Sequence, residues 1–307
     1  MNGVSASLKP GTEASFLAAR RLSNLKDYWV LTKPEVNFLV VISTLAGFYA
    51  ATRGPLDWVR LLHTLFGTLL VASGTATLNQ LMERDADGRM RRTARRPLPA
   101  GRLAAREALV FGLLLSAMGG AHLAWAVNPL ASFLALLTLA TYLLIYTPLK
   151  RKTPWCTLIG AFPGAMPPLI GWAGATANLA GEAWVLYAIL FLWQFPHFLA
   201  IAWMYREDYA RAGLKMLPRN DRDGRITSWQ IMASAIALLP VSLLPAWMGQ
   251  AGIVYLVGTL LLCLMYIYAG ARLAAARTNA LAKRLLLASI VYLPLVLALR
   301  MLDKSSV

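Results

Sequence analysis

The chain has 307 residues, of which 58% are hydrophobic and only 14% charged, where ordinary soluble domains carry about 25% charge. Repeated apolar runs of roughly 20 residues, separated by short polar segments, exclude a soluble globular protein and predict an all-α, polytopic membrane protein. The formal charge of +16 would suggest nucleic acid in a soluble chain; here its placement ties it to membrane orientation and an anionic ligand, with no nucleic-acid partner.

Nine transmembrane spans are expected, over residues 36–53, 58–82, 106–126, 129–147, 156–175, 183–204, 229–248, 251–271 and 284–302. Most of the 30 Lys and Arg fall in the N-terminal tail and in the loops after spans two, four, six and eight. The opposite loops, near Arg53, Asn128, Ala177 and Gln250, carry almost none. This bias predicts a cytoplasmic N-terminus and an external C-terminus, as for a protein of a bacterial inner (plasma) membrane. Residues 1–25 read as a flexible tail and 26–304 as a single transmembrane domain. No signal-like apolar core with a cleavage site precedes residue 36, so span one reads as a retained helix. Cys156 and Cys263 lack metal-ligand neighbours and read as ordinary buried thiols.

In chain order, Leu25 to Glu35 mixes Tyr28, Trp29, Lys26 and Lys33 and suits an interfacial helix, with Pro34 turning the chain into span one. Span two carries the small-residue string Ala72 to Ala76, which permits close helix packing. Its end is the most informative stretch of the chain. Asn79, Glu83 and Asp87 recur at i, i+4, i+8 and share one helix face able to hold a divalent cation, with Asp85 between them. Arg89, Arg91, Arg92, Arg95 and Arg96 follow. A positive-inside loop explains those arginines but not the carboxylates, which resist burial unless a cation compensates. Span four ends in Tyr142, Tyr146 and Lys150 at the same spacing, then Arg151. A cationic helix end facing a carboxylate cluster suits a metal-bound diphosphate.

Pro163, Gly164, Pro167, Pro168, Gly171 and Gly174 predict a kinked span five, tolerated where the backbone faces protein or a cavity. Span six contributes Gln194 and His197, then Arg206, Glu207 and Asp208 at its inner end. Asp221 and Asp223 read as a solvated turn with Gly224. Spans seven to nine read as plain Leu, Ala and Val scaffold.

These residues resemble the UbiA-type intramembrane prenyltransferases, and among them the branch that farnesylates protohaem IX. The strings MRRTARRPLP (Met90 to Pro99), YTPLKRKT (Tyr146 to Thr153), WQFPHF (Trp193 to Phe198) and DYARAGLKMLP (Asp208 to Pro218) carry the resemblance to that branch. It implies a UbiA-type bundle of about nine helices that binds farnesyl diphosphate through Mg2+ and delivers farnesyl to a vinyl group of haem b, giving haem O. Asn79, Glu83, Asp85, Asp87 and Glu207 would then serve the metal, and Arg92, Arg95, Arg96, Lys150, Arg151, Gln194 and Arg206 the substrates. Tyr146, His197 and Asp208 would act in the chemistry. Glu83 stands where many members have aspartate, and Tyr205 and Tyr209 replace acids of the second motif. Expected partners are the lipid bilayer and a haem A synthase or cytochrome oxidase assembly factors. The competing expectations are prenylation of an aromatic quinone precursor, a transporter, and an assembly subunit of a respiratory complex.

Overall fold

The computed structural model describes residues 25–218, 221 and 223–305. The expected tail up to residue 24, and Arg219 and Arg222 in the loop after span six, lie outside the described residues. Helix α1 covers 25–32, followed by α2 (Pro34–Ala51), α3 (Trp58–Asp87) and α4 (Ala105–Ala126). Helix α5 (Pro129–Ala140) passes through a π-helical turn, Thr141–Tyr146, into α6 (Thr147–Leu149). The pair α7 (Cys156–Gly164) and α8 (Pro167–Thr176) is one broken span, and α9 (Gly181–Met204) leads into the short α10 (Arg206–Arg211). Helices α11 (Arg225–Trp247), α12 (Ile253–Ala276) and α13 (Asn279–Leu302) complete the bundle. Among the described residues nine segments are long and apolar enough to cross a membrane.

Each expected span is present, with two informative differences. Span two continues to Asp87 because no breaker interrupts it before Gly88. Its polar face therefore rides on a rigid helix rather than a loop. Span four contains a π-helical turn that apolar periodicity does not reveal.

Span five breaks where its prolines predict. Pro163 lies inside α7, Ala165 ends that helix, and Pro167 opens α8. Gln194 of α9 donates Nε2 to Ala161 O at 3.1 Å beside the break. Ala161 O also accepts Ala165 N at 3.1 Å, so Gln194 adds a second donor to backbone that no water would reach in a bilayer.

Small residues let the helices approach closely. A Cβ built on Gly74 of α3 would lie 2.2 Å from Ser116 Oγ of α4. On the α2–α8 seam, a Cβ on Gly47 would lie 2.1 Å from Pro168 O, and one on Gly171 1.9 Å from Thr44 O. Association in lipid depends on such packing because burial from water no longer drives it.

Helix α1 is tied down by side chains of the bundle. Gln80 Nε2 donates to Leu31 O at 2.8 Å, and Asn37 Nδ2 donates to Thr32 O at 2.7 Å and to Ser73 Oγ at 2.9 Å. Asp27 and Arg102 form an ion pair at 2.9 Å.

The plain-scaffold reading of spans seven to nine needs correction. Tyr255 donates its hydroxyl to Ser242 O at 2.7 Å, and Ser242 Oγ meets Tyr292 Oη at 2.7 Å. Tyr266 donates to Trp193 O at 3.1 Å, and Trp193 Nε1 to Ser289 O at 2.9 Å. Asp221 is likewise a buried cap rather than a solvated turn, accepting from Ile226 N at 2.8 Å and Thr227 N at 2.7 Å.

Gly171→Ala is expected to destabilise the protein by about 1–3 kcal/mol, because the new methyl meets backbone that cannot yield. Gly181→Ala, whose Cβ meets nothing within 4 Å, is the control. Thermal unfolding of both variants in one detergent measures the difference.

Candidate active site

The inner end of α3 presents Asn79, Glu83 and Asp87 on one buried face, at 1%, 9% and 1% exposure. A helix places i, i+4 and i+8 on one side, and side chains from other segments bond to this face. Asn79 Nδ2 donates to Glu83 Oε2 at 2.9 Å, and Thr147 Oγ1 donates to Asn79 Oδ1 at 2.9 Å. Lys150 Nζ donates to Glu83 Oε1 at 2.8 Å, and an Arg96 guanidinium nitrogen to Asp87 Oδ2 at 2.7 Å.

The π-helical turn of span four forms the opposing wall. Tyr142 and Tyr146 meet edge to face with centroids 4.9 Å apart, and Lys150 Nζ lies 4.3 Å from the Tyr146 ring centre and 5.7 Å from that of Tyr142. Both rings are enclosed by the bundle yet keep partial access. Burial opposes the charge on Lys150, but the oxygens of Tyr146 and Glu83 outweigh it and hold the ammonium above the ordinary lysine range.

Lys33, read from the sequence as an interfacial residue, belongs to this site. It sits between α1 and α2 with φ at 50°, in the left-handed region, where a side chain other than glycine costs about 1–2 kcal/mol. Its carbonyl accepts Val36 N and Asn37 N, both at 3.1 Å, and Pro34 fixes the chain that follows. Strain of this kind clusters at functional sites. Burial, then Arg96 and Lys150, push the Lys33 ammonium down to about 8, against the pull of Glu83 and Asp87. The one signal in the sequence was a lysine directly before the proline that opens span one.

The inner loops close over this end. Ala86, Met90, Cys156, Ala202, Ala212, Leu214 and Met216 form one buried apolar cluster, with Tyr146 and Tyr209 packed against it. Lys215 N donates to Lys150 O at 2.7 Å, tying the loop after α10 to the end of span four. Arg92 lies over the rings of Tyr205 and Tyr209, at 4.7 and 5.9 Å, and thereby links the α3–α4 loop to α10. Arg95 and Arg151 lie exposed at the same end.

Other expected site residues are placed elsewhere. Asp85 is exposed and pairs with Arg84 at 3.7 Å, because two residues along a helix is more than half a turn away from the Glu83 face. Glu207 is exposed, whereas Asp208 is buried and paired with Arg211. Arg206 donates to Trp203 O and Asn279 Oδ1, both at 2.8 Å, and so braces α9 against α13. Gln194 braces the span-five break and has its side chain against Gly164. His197 stands deeper in α9, stacked on Trp193 with centroids 4.8 Å apart.

Among the described residues no group of three or more His, Cys, Asp and Glu gathers into a metal cage. Two carboxylates and one amide oxygen on a single helix face nevertheless fit Mg2+, which keeps several waters and takes the rest of its shell from one or two carboxylates and substrate phosphates. Glu83 and Asp87 now satisfy their charge with Lys150 and Arg96. With Lys33, three cations face two carboxylates, leaving a positive excess for an anionic ligand.

Lys150→Met should cost about 3–5 kcal/mol, since it leaves the Glu83 carboxylate buried and unpaired. The double variant Glu83→Gln, Lys150→Met should recover most of that loss, and chemical unfolding of the three proteins reads the coupling.

Comparison with known proteins agrees with this fold. Residues 40–292 match the model of the UbiA prenyltransferase family. The chain is 52% identical over 289 residues to the protoheme IX farnesyltransferase of Solibacter usitatus, covering 91% of this chain and 99% of that one. It is 44% identical to the protoheme IX farnesyltransferase of Koribacter versatilis, covering 92% and 94%. Among solved structures, a UbiA homolog from Archaeoglobus fulgidus bound to GPP and Mg2+ superposes with a TM-score of 0.67 at 16% identity, over 90% of this chain and 99% of that one. A digeranylgeranylglyceryl phosphate synthase matches with a TM-score of 0.73 at 19% identity, over 92% and 98%. A bundle of this shape with a carboxylate face at one end, matched along most of its length by the family model, belongs to the UbiA prenyltransferase family.

Proposed function

We infer that the chain transfers the farnesyl group of farnesyl diphosphate to a vinyl group of haem b, with addition of water, giving haem O. The carrying observation is the meeting of Lys33, Arg96 and Lys150 with Glu83 and Asp87 beneath the Tyr142–Tyr146 wall. The 52% identity to a protoheme IX farnesyltransferase supplies the acceptor.

Asn79, Glu83 and Asp87 would hold Mg2+, which offsets the negative charge on the departing diphosphate. The rest follows from this chain's own side chains. Lys150 and Arg96 exchange a carboxylate for a phosphate oxygen when the ligand arrives, so no cation is left uncompensated at either stage. Lys33 is held at the same end by its turn and neutralises further charge. As Lys150 moves toward phosphate, it vacates the face of Tyr146, where a cation already lies 4.3 Å from the ring centre. That face then shelters the allylic cation left when the C–O bond ionises. The aromatic wall keeps water from the cation until the vinyl carbon has captured it.

The inner-end lysines and arginines support a cytoplasmic active site in a bacterial inner membrane, with the N-terminus on the same side. Haem b is a substrate on this reading. Its farnesylated product passes to a haem A synthase or to cytochrome oxidase assembly.

Purified protein given haem b, farnesyl diphosphate and Mg2+ should yield a haem heavier by farnesyl plus water, and a chelator should abolish it. Prenylation of an aromatic acceptor with haem left unchanged would overturn the acceptor assignment. Asp87→Ala should lower turnover at least about 100-fold while the protein remains folded. Affinity for farnesyl diphosphate should fall as pH rises through about 8, because Lys33 in the ligand-free protein loses its proton there. The apparent KM should climb toward about tenfold per pH unit, and Lys33→Arg should move the break to higher pH.

A further inference from the structure

One polar group of α9 lies apart from the diphosphate end. His197 lies seven residues before the inner end of α9, or about 10 Å into the bundle. Its ring is enclosed by protein yet partly accessible. Trp193 stacks on it at 4.8 Å and 27°, and Phe198 meets it edge-on at 5.2 Å.

Its Nδ1 lies 2.7 Å from Ser289 Oγ of α13. That hydroxyl also donates to Leu286 O at 2.6 Å. A serine has one proton to give. When that proton goes to Leu286 O, Nδ1–H donates to the serine and the lone pair of the neutral ring is on Nε2. Among the described residues Nε2 has no hydrogen-bond partner. Ser289 is itself held, because its carbonyl accepts Trp193 Nε1 at 2.9 Å while Trp193 O accepts the Tyr266 hydroxyl at 3.1 Å.

We propose that Ser289 is a positioning residue that fixes the His197 tautomer and leaves Nε2 open as a ligand for the iron of the haem acceptor. The inference rests on the haem farnesylation reading and assigns the acceptor's anchor within it. A metal-binding histidine characteristically donates its other ring N–H to a fixed acceptor, which sets the tautomer and raises ligand basicity. Ser289 supplies that acceptor, and the Trp193 stack prevents rotation of the ring.

The test is absorption and electron paramagnetic resonance of purified protein titrated with ferric haem b, without farnesyl diphosphate. The wild type should show a nitrogen axial ligand, and His197→Gly should lose it and regain it with added imidazole. Ser289→Ala should bind haem about 10–100-fold more weakly with mixed ligation. It should also raise the KM for haem while leaving that for farnesyl diphosphate unchanged, and Ser289→Thr should restore both. Thermal unfolding confirms that the variants are folded. A wild-type spectrum without a nitrogen ligand, one unchanged in His197→Gly, or wild-type haem binding by Ser289→Ala overturns the proposal. Farnesylation of haem without the ligand signature removes the anchor and leaves the reaction standing, whereas failure of haem as a substrate removes both.

Discussion

Two buried charge pairs at the inner end of α3 govern the arrangement of this protein. Glu83 with Lys150 and Asp87 with Arg96 bring together span two, the loop that follows it and the end of span four. A carboxylate cannot remain ionised in that position alone, so the pairs dictate where those segments go. They also leave the site in a state that a phosphate ligand can enter by exchanging partners. The apolar cluster around Met90, Cys156 and Met216 then packs the loops over the exchange.

The remainder of the bundle serves this end. Small-residue seams between α3 and α4, and between α2 and α8, allow helices to approach where a larger side chain would hold them apart. The broken span five and the π-helical turn of span four are departures from ideal helix, and the two pack against each other. Gln194 shows how the first is tolerated, through a side-chain donor beside the interrupted backbone. Farther along the bundle, Ser289, Trp193 and Tyr266 form a hydrogen-bonded patch that joins α9, α12 and α13.

Much of this was legible in the sequence for identifiable reasons. Spans declare themselves by length and hydropathy, and Asn79, Glu83 and Asp87 do so because helical spacing places polar residues at the end of an apolar run. Tyr142, Tyr146 and Lys150 gathered for the same reason. Asp85 was grouped with the site because it lies two residues from Glu83 in sequence, but that spacing along a helix turns it to another side, where it is exposed. Lys33 escaped because its position depends on a left-handed turn that no periodicity encodes. Ser289 escaped because a single serine in a Leu and Ala run resembles any other, until the helix opposite is known.

The turn at Lys33 joins the chemistry to the lipid. Helix α1 exposes Leu25 and Trp29 on its outer side, while Gln80, Asn37 and the Asp27–Arg102 pair hold it to the bundle. Trp at such a position settles at the head-group level. The depth at which α1 rests in that layer therefore sets the depth of the Lys33 ammonium, and a thinner or thicker bilayer acts on the active site through one short helix.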